Sequence, residues 1–328
     1  MTTSSAPGKI YLFGEHAVVY GEPAIPCAID RRARVQAASR ADGSLRVDLQ
    51  DLTLDGFTVT WDGSPESAPQ VDVPDPLLRA ATGYLTGAIE VAKEAAAAPA
   101  AGFDLTVESE LPLGAGLGSS AAVVCATIDA ASRELGTALG AEEIARLAYE
   151  VESTVQGGQA SRADTYCSAM GGAVRVEGSA TSRLDRVDRL PLVVGYDGGA
   201  GDTGRLVERV GELREQYEFA ADTVGAIGDL VEAGERALAQ GALAEVGRLM
   251  SFDHGLLSSL GVSSGSLDAM VWAARNAGAH GAKLTGAGGG GCIVALDETG
   301  EVETALAHTP SCRDSFRAPL DRDGVRQE

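Results

Sequence analysis

Lysine, aromatic residues and cysteine are all few in this sequence, and these shortages limit the class of protein and the kind of core that the chain can form. Three of the 26 basic residues are lysines (Lys9, Lys93 and Lys283), and 47 acidic residues bring the formal net charge to −21. That balance excludes a nucleic-acid binder that works by neutralising phosphates, and it argues against binding to an anionic membrane surface. Aromatic residues make up 5% of the chain, so its cores must consist mainly of Ala, Val, Leu and Ile.

The sequence also lacks the patterns of secreted, zinc-binding and membrane proteins. Its five cysteines are odd in number and show no CxxC spacing, which predicts reduced core thiols for most of them and no zinc site. No apolar run approaches the roughly 18 residues of a membrane helix, and no basic stretch followed by an apolar one marks a signal peptide. We therefore expect a cytoplasmic protein with no nucleic-acid or membrane partner. A homodimer is compatible with the sequence, which does not specify the oligomeric state.

The negative charge is spread along the chain rather than confined to a tail. Residues 1–185 carry a net charge of −12 and residues 186–328 carry −9. A uniformly acidic, lysine-poor surface suits a protein that stays hydrated in concentrated salt, where repulsion between charges is screened. The alternative is the composition of a GC-rich genome, which favours Arg and Ala. The acid excess favours salt adaptation.

A length of 328 residues predicts two domains, and strands and helices alternate without a regular βαβ repeat, which favours an α+β fold. We place the first domain at 1–182 and the second at 183–328, with the boundary in the polar segment 178–189. The predicted strands are 8–13, 25–38, two within 44–60 with Asp-Gly turns at 42–43 and 55–56, 102–109, one within 165–177, 190–196, 280–285 and 291–296. The predicted helices are 77–97, 120–135, 141–155, 203–219, 221–239, 242–258 and 264–278. Residues 64–76 are predicted to be a surface loop, and the tail beyond 310 is predicted to be partly disordered.

The strongest local signal is a glycine loop, which consists of Gly114, Ala115, Gly116, Leu117, Gly118, Ser119 and Ser120. Glycine permits positive φ and close approach to a ligand, and the small and apolar residues after the loop start a helix. The free amide groups and the dipole at a helix N-terminus favour phosphate. The loop lacks the lysine of a Walker A motif and the spacing of a dinucleotide fingerprint. Its cation and metal ligands must therefore lie elsewhere.

Two other glycine-bearing segments stand far from this loop. The first segment, Ala6–Gly21, contains Lys9, Glu15 and His16, and the third segment, Lys283–Cys292, contains four consecutive glycines. In this order the three segments resemble the three motifs of the GHMP kinase superfamily. Within it, the first segment is similar to that of the mevalonate kinase family. It has Gly-Glu-His-Ala-Val-Val-Tyr-Gly where galactokinases usually have Gly-Glu-His-Thr-Asp-Tyr.

The resemblance implies a fold and a reaction. The expected fold is a two-domain α+β structure, with a left-handed βαβ unit in the N-terminal domain and a ferredoxin-like C-terminal domain. The expected reaction is ATP-dependent phosphorylation of the 5-hydroxyl of (R)-mevalonate, with Mg²⁺ as cofactor.

The resemblance also assigns roles residue by residue. The glycine loop would bind ATP, Ser120 and Glu152 would hold Mg²⁺, and Asp164 would be the catalytic base beside Lys9. Glu15, His16 and Thr285, with Lys9 and Asp164, would line the acceptor site. The loop at 157–159 is one residue longer than usual in the family, which leaves Glu150 as an alternative register for the metal ligand.

These residue types suit phosphoryl transfer, which depends on positioning and charge stabilisation. One hydroxyl and one carboxylate suffice for Mg²⁺, which keeps several waters, and a lysine can hold Asp164 ionised and stabilise a developing alkoxide. Structural alternatives remain for each residue: a solvated helix face for Glu152, a turn cap for Asp164, a helix N-cap for Ser119, a packed core side chain for His16 and a surface position for Lys9.

Two other functions stay open beside the leading hypothesis. One is another GHMP small-molecule kinase, such as a phosphomevalonate kinase or a mevalonate 3-kinase; the Glu-His-Ala-Val-Val-Tyr run disfavours sugars and homoserine. The other is a nucleotide-binding regulator without catalysis, which the presence of Lys9, Ser120, Glu152 and Asp164 together disfavours.

Overall fold

The computed structural model describes residues 1–50, 60–61, 75–112, 114–158, 160–199 and 201–328. Its strands are β1 (Thr2–Phe13), β2 (Ile25–Arg40), β3 (Leu45–Gln50), β4 (Thr60–Trp61), β5 (Gly102–Ser109), β6 (Val174–Glu177), β7 (Ala180–Arg183), β8 (Leu192–Tyr196), β9 (Gly281–Thr285), β10 (Cys292–Leu296), β11 (Asp314–Arg317) and β12 (Arg326–Gln327). Its helices are α1 (Asp75–Ala95), α2 (Ser119–Glu134), α3 (Ala141–Val155), α4 (Arg162–Met170), α5 (Thr203–Gln216), α6 (Glu218–Ala239), α7 (Leu243–Ser259), α8 (Gly265–Asn276) and α9 (Val302–Ala307), with a short 3₁₀ turn at Ala17–Tyr20. The turn predicted at 55–56 and residues 64–74 of the predicted loop lie outside the described residues. In the described part of the chain, no helix combines the length and the apolar character that a membrane crossing requires.

The first sheet carries the N-terminal strand β1 between the edge strand β12 and β2. Within the described residues its six strands follow the order β12-β1-β2-β5-β3-β4, and β3 and β5 run parallel while the other neighbours run antiparallel. A parallel pair needs a crossover connection, and α1 lies between these two strands in the chain. Helix α2 packs on β1 and β2 and is buried along most of its length. The glycine loop, which precedes α2, therefore lies against β1.

The second sheet is antiparallel throughout and forms the second domain with helices α5 to α9. Its order is β11-β8-β10-β9. Successive side chains of a strand point to opposite faces, so Leu192 and Val194 of β8 join the large core shared with the first sheet, whereas Val193 joins a second core. The predicted α+β, two-domain architecture is confirmed. The boundary at 182/183 stays a prediction; β7 of this segment pairs with β6.

The strand predicted within 165–177 is confirmed only over its last four residues, because helix α4 occupies 162–170. Ser161 is the N-cap of α4, since its side chain accepts a hydrogen bond from the Ala163 amide at 3.1 Å. Gly171, with φ of 67°, ends the helix. The alternation of Thr165, Cys167 and Ala169 resembles a strand pattern but belongs to a short buried helix.

The prediction of a partly disordered tail is wrong, because the chain end is ordered and returns to the first domain. Strand β12 pairs with β1, and Asp321 forms a buried ion pair with Arg32 of β2. The Asp321 carbonyl also accepts a hydrogen bond from the Gly172 amide at 2.6 Å, directly after helix α4. The polar residues of the tail thus bind specific partners in the first domain. Amino-acid composition alone does not reveal these partners.

Candidate active site

The glycine loop is shaped by three glycines in the left-handed region of backbone space. Gly114, Gly116 and Gly118 have φ values of 70°, 80° and 71°. Between them, Ala115 and Leu117 are buried and anchor the loop in the core. Alternation of small outward residues with buried anchors leaves the backbone open on one side, as a phosphate-binding loop requires.

Lys9 reaches the glycine loop from β1. Its amide donates to the Leu117 carbonyl at 2.8 Å, and its ammonium donates to the Gly116 carbonyl at 3.3 Å. A Cβ atom at Gly118 would lie 2.9 Å from the Lys9 side chain, so glycine is needed for the lysine to pass. The strand thus places a cation against a loop that has no lysine of its own.

Asp164 completes an ion pair with Lys9. The Lys9 Nζ to Asp164 Oδ1 distance is 2.7 Å, with the lysine side chain 4% exposed and the aspartate side chain 23% exposed. Asp164 lies in the first turn of α4, where Ser161 caps the helix. The pair therefore opens to solvent on the aspartate side, where an acceptor hydroxyl could approach the carboxylate.

Tyr11 borders this pair, and the sequence argument did not single it out. The Lys9 ammonium lies 4.3 Å from the centroid of the Tyr11 ring, within the range of a cation–π interaction. The Tyr11 hydroxyl contacts Ser161 Oγ at 3.2 Å. Burial and the nearby charge of Asp164 raise the pKa of Tyr11, so the hydroxyl stays neutral. The tyrosine thus links the lysine strand to the cap of the aspartate helix.

Ser120 and Glu152 form a second polar pair at the start of α2. Ser120 Oγ donates to Glu152 Oε1 at 2.6 Å, and Glu152 is buried. Burial and the charge of Asp164 raise the pKa of Glu152 to about 7, although the Ser120 hydrogen bond and Lys9 oppose the rise. Glu150 instead pairs with Arg146 on the exposed face of α3. The structure therefore brings Glu152, and not Glu150, to the loop.

The hydroxyl of Ser119 does not cap α2. Gly118 occupies the N-cap position without a side-chain hydrogen bond, and Ser119 Oγ is buried with no partner among the described residues. A buried, unpaired hydroxyl at a helix N-terminus is costly unless a ligand satisfies it. Its position is compatible with the predicted nucleotide contact.

Glu15, His16 and Thr285, which the resemblance assigns to the acceptor site, are all buried and engaged with protein groups. Glu15 forms an ion pair with Lys283, and His16 Nε2 donates to the Ala287 carbonyl at 2.8 Å. Thr285 Oγ1 accepts from the Tyr11 amide at 2.7 Å and lies 3.2 Å from the Tyr11 carbonyl. Burial lowers the pKa of His16, so its ring is neutral near pH 7. These three roles stay predictions.

The third segment packs its backbone against the glycine loop. A Cβ atom at Gly286 would lie 3.5 Å from the Gly116 backbone, and one at Gly291 would lie 3.1 Å from the Ala115 carbonyl. A side chain at Gly291 would press on the loop, whereas a Cβ at Gly286 would be in ordinary van der Waals contact with it. Within the run of four glycines, Gly291 thus has a packing role that couples the second domain to the first, whereas Gly288 packs on Val262 of the second domain.

Two further residues in this region, Lys283 and Asp253, were not predicted as functional. Lys283 lies in the third segment and is one of three lysines, so its scarcity is a signal that the sequence does contain. Asp253 lies within helix α7 and carries no such signal.

No group of three or more His, Cys, Asp or Glu side chains that could hold a metal occurs in the described ranges. A cation at Ser120 and Glu152 would therefore depend on further oxygen ligands from a nucleotide and from water.

Comparison with known proteins matches both halves of the chain to one superfamily. The GHMP kinases N terminal domain matches residues 83–172, and the GHMP kinases C terminal domain matches residues 235–308. The mevalonate kinase of Thermococcus onnurineus (strain NA1) is 41% identical over 336 residues, which cover 99% of this chain and 98% of that protein. The mevalonate kinase of Pyrococcus horikoshii is 40% identical over 333 residues, with 99% and 97% covered.

Solved structures agree with these relatives. The Methanococcus jannaschii mevalonate kinase has a TM-score of 0.81 at 28% identity, with 98% of each chain covered. The L. major mevalonate kinase in complex with R-mevalonate also has a TM-score of 0.81, at 25% identity, with 98% of this chain and 96% of that chain covered. Both similarities extend over nearly the whole length, so they concern the arrangement of both domains.

Proposed function

The chain belongs to the mevalonate kinase family of GHMP kinases, and on that premise we propose that it transfers the γ-phosphoryl group of ATP to the 5-hydroxyl of (R)-mevalonate. The observation that carries the proposal is the ion pair between Lys9 and Asp164, with a distance of 2.7 Å, which lies against the glycine loop. The last residue of that loop, Ser120, donates a hydrogen bond to Glu152. Phosphoryl transfer needs a base, a cation and a phosphate cradle in one place. The reaction belongs to the mevalonate pathway of isoprenoid synthesis.

The glycine loop and the start of α2 would hold the phosphates of ATP. The outward glycines Gly114 and Gly116 leave backbone groups accessible, and Ser119 contributes a buried hydroxyl without a protein partner. The N-terminal dipole of α2 favours the negative charge. These contacts orient the γ-phosphoryl group toward the Lys9–Asp164 pair.

Asp164 would act as the base on the acceptor. As the 5-hydroxyl oxygen forms its bond to the γ-phosphorus, the bond from phosphorus to the β–γ bridging oxygen breaks and ADP leaves. The hydroxyl proton passes to Asp164 Oδ. Lys9, whose ammonium lies 2.7 Å from that carboxylate, stabilises the negative charge that develops on the attacking oxygen.

Ser120 and Glu152 fit a magnesium ion. The donors are a hydroxyl and a carboxylate, the oxygen ligands that Mg²⁺ prefers, and Glu152 is a buried carboxylate whose raised pKa a cation would lower again. When bound with ATP, the ion supplies neutralisation of the phosphate charge. Ser120 and Glu152 are the residues of this chain that would hold it.

A panel of acceptors tests the proposal. We expect ATP turnover with (R)-mevalonate, and little with 5-phosphomevalonate, homoserine or galactose, because the family resemblance is to mevalonate kinases. Phosphorus NMR of the product should show a phosphate ester on C5. A 3-phosphate, or preferred turnover of another acceptor, would assign the site to a different GHMP kinase. ATP binding without turnover of any acceptor would indicate a regulator.

We also propose that the enzyme works in a cytoplasm of high ionic strength, since the net charge of −21 implies strong self-repulsion in dilute buffer. The Debye length is about 30 Å at 0.01 M salt and about 3 Å at 1 M, so molar KCl would screen repulsion between all but neighbouring carboxylates. Thermal melts at increasing KCl concentration should show a rising Tm, with activity at low salt lost through unfolding. A Tm that stays constant or falls as salt increases would indicate that the acidic composition is not an adaptation to salt.

A further inference from the structure

Lys283 is a fully buried lysine at the junction of the two domains. It lies on β9, and its ammonium forms ion pairs with Glu15 and, at 3.3 Å, with Asp253 Oδ2. It also donates to the Leu284 carbonyl at 2.8 Å. Of three lysines among 26 basic residues, Lys9 and Lys283 are both buried in ion pairs of this kind. We call Lys283, Glu15 and Asp253 the lysine cluster.

The lysine cluster is poorly explained as a source of stability. Two buried carboxyl groups share one ammonium, and the 3.3 Å contact between Asp253 Oδ2 and Lys283 Nζ is an ion pair without hydrogen-bond geometry. Burial raises the pKa of Glu15 to about 8, although the charge of Lys283 opposes the rise, and burial also raises the pKa of Asp253. Replacement of buried ion pairs by neutral groups of similar volume is often neutral or stabilising. The cluster therefore needs an explanation other than stability.

The segments joined by the cluster point to that explanation. Glu15 belongs to the turn after β1, where His16 has φ of 61°, a strained value for a residue with a side chain. Such a conformation persists only where its surroundings determine it. His16 is held from one side by its hydrogen bond to the Ala287 carbonyl, and its neighbour Glu15 is held from the other by Lys283.

Strand β9 transmits this constraint to the catalytic pair. Two residues after Lys283, the hydroxyl of Thr285 accepts a hydrogen bond from the Tyr11 amide, and Tyr11 lies against the Lys9 ammonium. The next residue, Gly286, packs on Gly116 of the glycine loop. A shift of β9 relative to the first segment would therefore move Lys9 and the loop relative to each other.

We propose that the lysine cluster is a positioning device for phosphoryl transfer, which locks the turn at Glu15 and His16 to strand β9 and so fixes Lys9 against the glycine loop. Glu15 then acts through Lys283 and does not contact the acceptor. This inference rests on the proposed function, because it concerns the same catalytic pair. A displacement of about 1 Å in such a site can cost about 10²-fold in rate.

The test compares three variants with wild-type enzyme that turns over mevalonate. Asp253→Asn removes the carboxyl group on α7, Glu15→Gln removes the one in the first segment, and the double variant Glu15→Gln/Lys283→Met replaces the closest pair by neutral groups. Asp253 can take up a proton in the double variant, so no buried charge is left unpaired. Glu245→Gln, on the exposed face of α7, is the matched control.

We expect Tm values of the double variant at or above wild type, with kcat lowered by about 10- to 10²-fold and KM for ATP close to wild type. Asp253→Asn should lower kcat in the same direction, and Glu245→Gln should leave it unchanged. Wild-type kcat in both Asp253→Asn and the double variant would reduce the cluster to a structural element. A raised acceptor KM in Glu15→Gln with a normal Asp253→Asn would show that Glu15 contacts the acceptor. Absence of mevalonate turnover in the wild type would instead refute the proposed function.

Discussion

Substitution of Asp164 by asparagine is expected to lower kcat by about 10²- to 10⁴-fold, the range that a general base contributes. Asparagine keeps the shape of the side chain but cannot accept the proton of the attacking hydroxyl. It also leaves the Lys9 ammonium without the carboxylate that lies 2.7 Å away. ATP affinity should change little, because the glycine loop and the start of α2 supply the phosphate contacts.

Steady-state kinetics with calorimetric ATP titration separate these two effects. Asp185→Asn, at an exposed aspartate just after β7, serves as the control for loss of one negative charge. A Tm measurement establishes that the Asp164 variant is folded. Turnover close to wild type in a folded Asp164→Asn enzyme would remove this residue from the mechanism.

Substitution of Glu152 by glutamine is expected to weaken the apparent affinity for magnesium by about 10²-fold, with Ser120→Ala acting in the same direction. The wild-type metal requirement should also depend on pH. Burial, with the charge of Asp164, raises the pKa of Glu152 to about 7, so a proton competes with the cation below that value. The magnesium concentration for half-maximal activity should therefore rise as the pH falls from 8 to 6, and this competition should disappear in Glu152→Gln.

Binding of Mn²⁺ in the presence of a non-hydrolysable ATP analogue, followed by electron paramagnetic resonance, provides a measurement that does not depend on turnover. Glu150→Gln is the matched control, because Glu150 lies two residues earlier on the same helix and pairs with Arg146 in solvent. Normal metal binding in Glu152→Gln together with a defect in Glu150→Gln would show that Glu150, and not Glu152, is the metal ligand.

The local elements of the site could be predicted from sequence because their causes are local. Alternate glycines followed by a small-residue run predict a loop with positive φ and a helix after it, and the structure has both at Gly114–Gly118 and α2. Helix α4 was missed, since the cap at Ser161 and the terminus at Gly171 enclose only nine residues whose alternation resembles a strand. An element of this length has too few residues for its pattern of buried positions to distinguish a helix from a strand.

The amino-acid sequence by itself determined the glycine loop, its missing lysine and the superfamily. Only the tertiary structure decided which distant side chains meet. Lys9 and Asp164 are separated by 155 positions, and their contact requires that β1 and the capped helix α4 pack side by side. The lysine cluster joins a turn, a helix and a strand from both domains, and Asp253 has no local pattern that marks it. A buried charge is recognised by its partners, and those partners become neighbours only when desolvation and packing act on the whole chain.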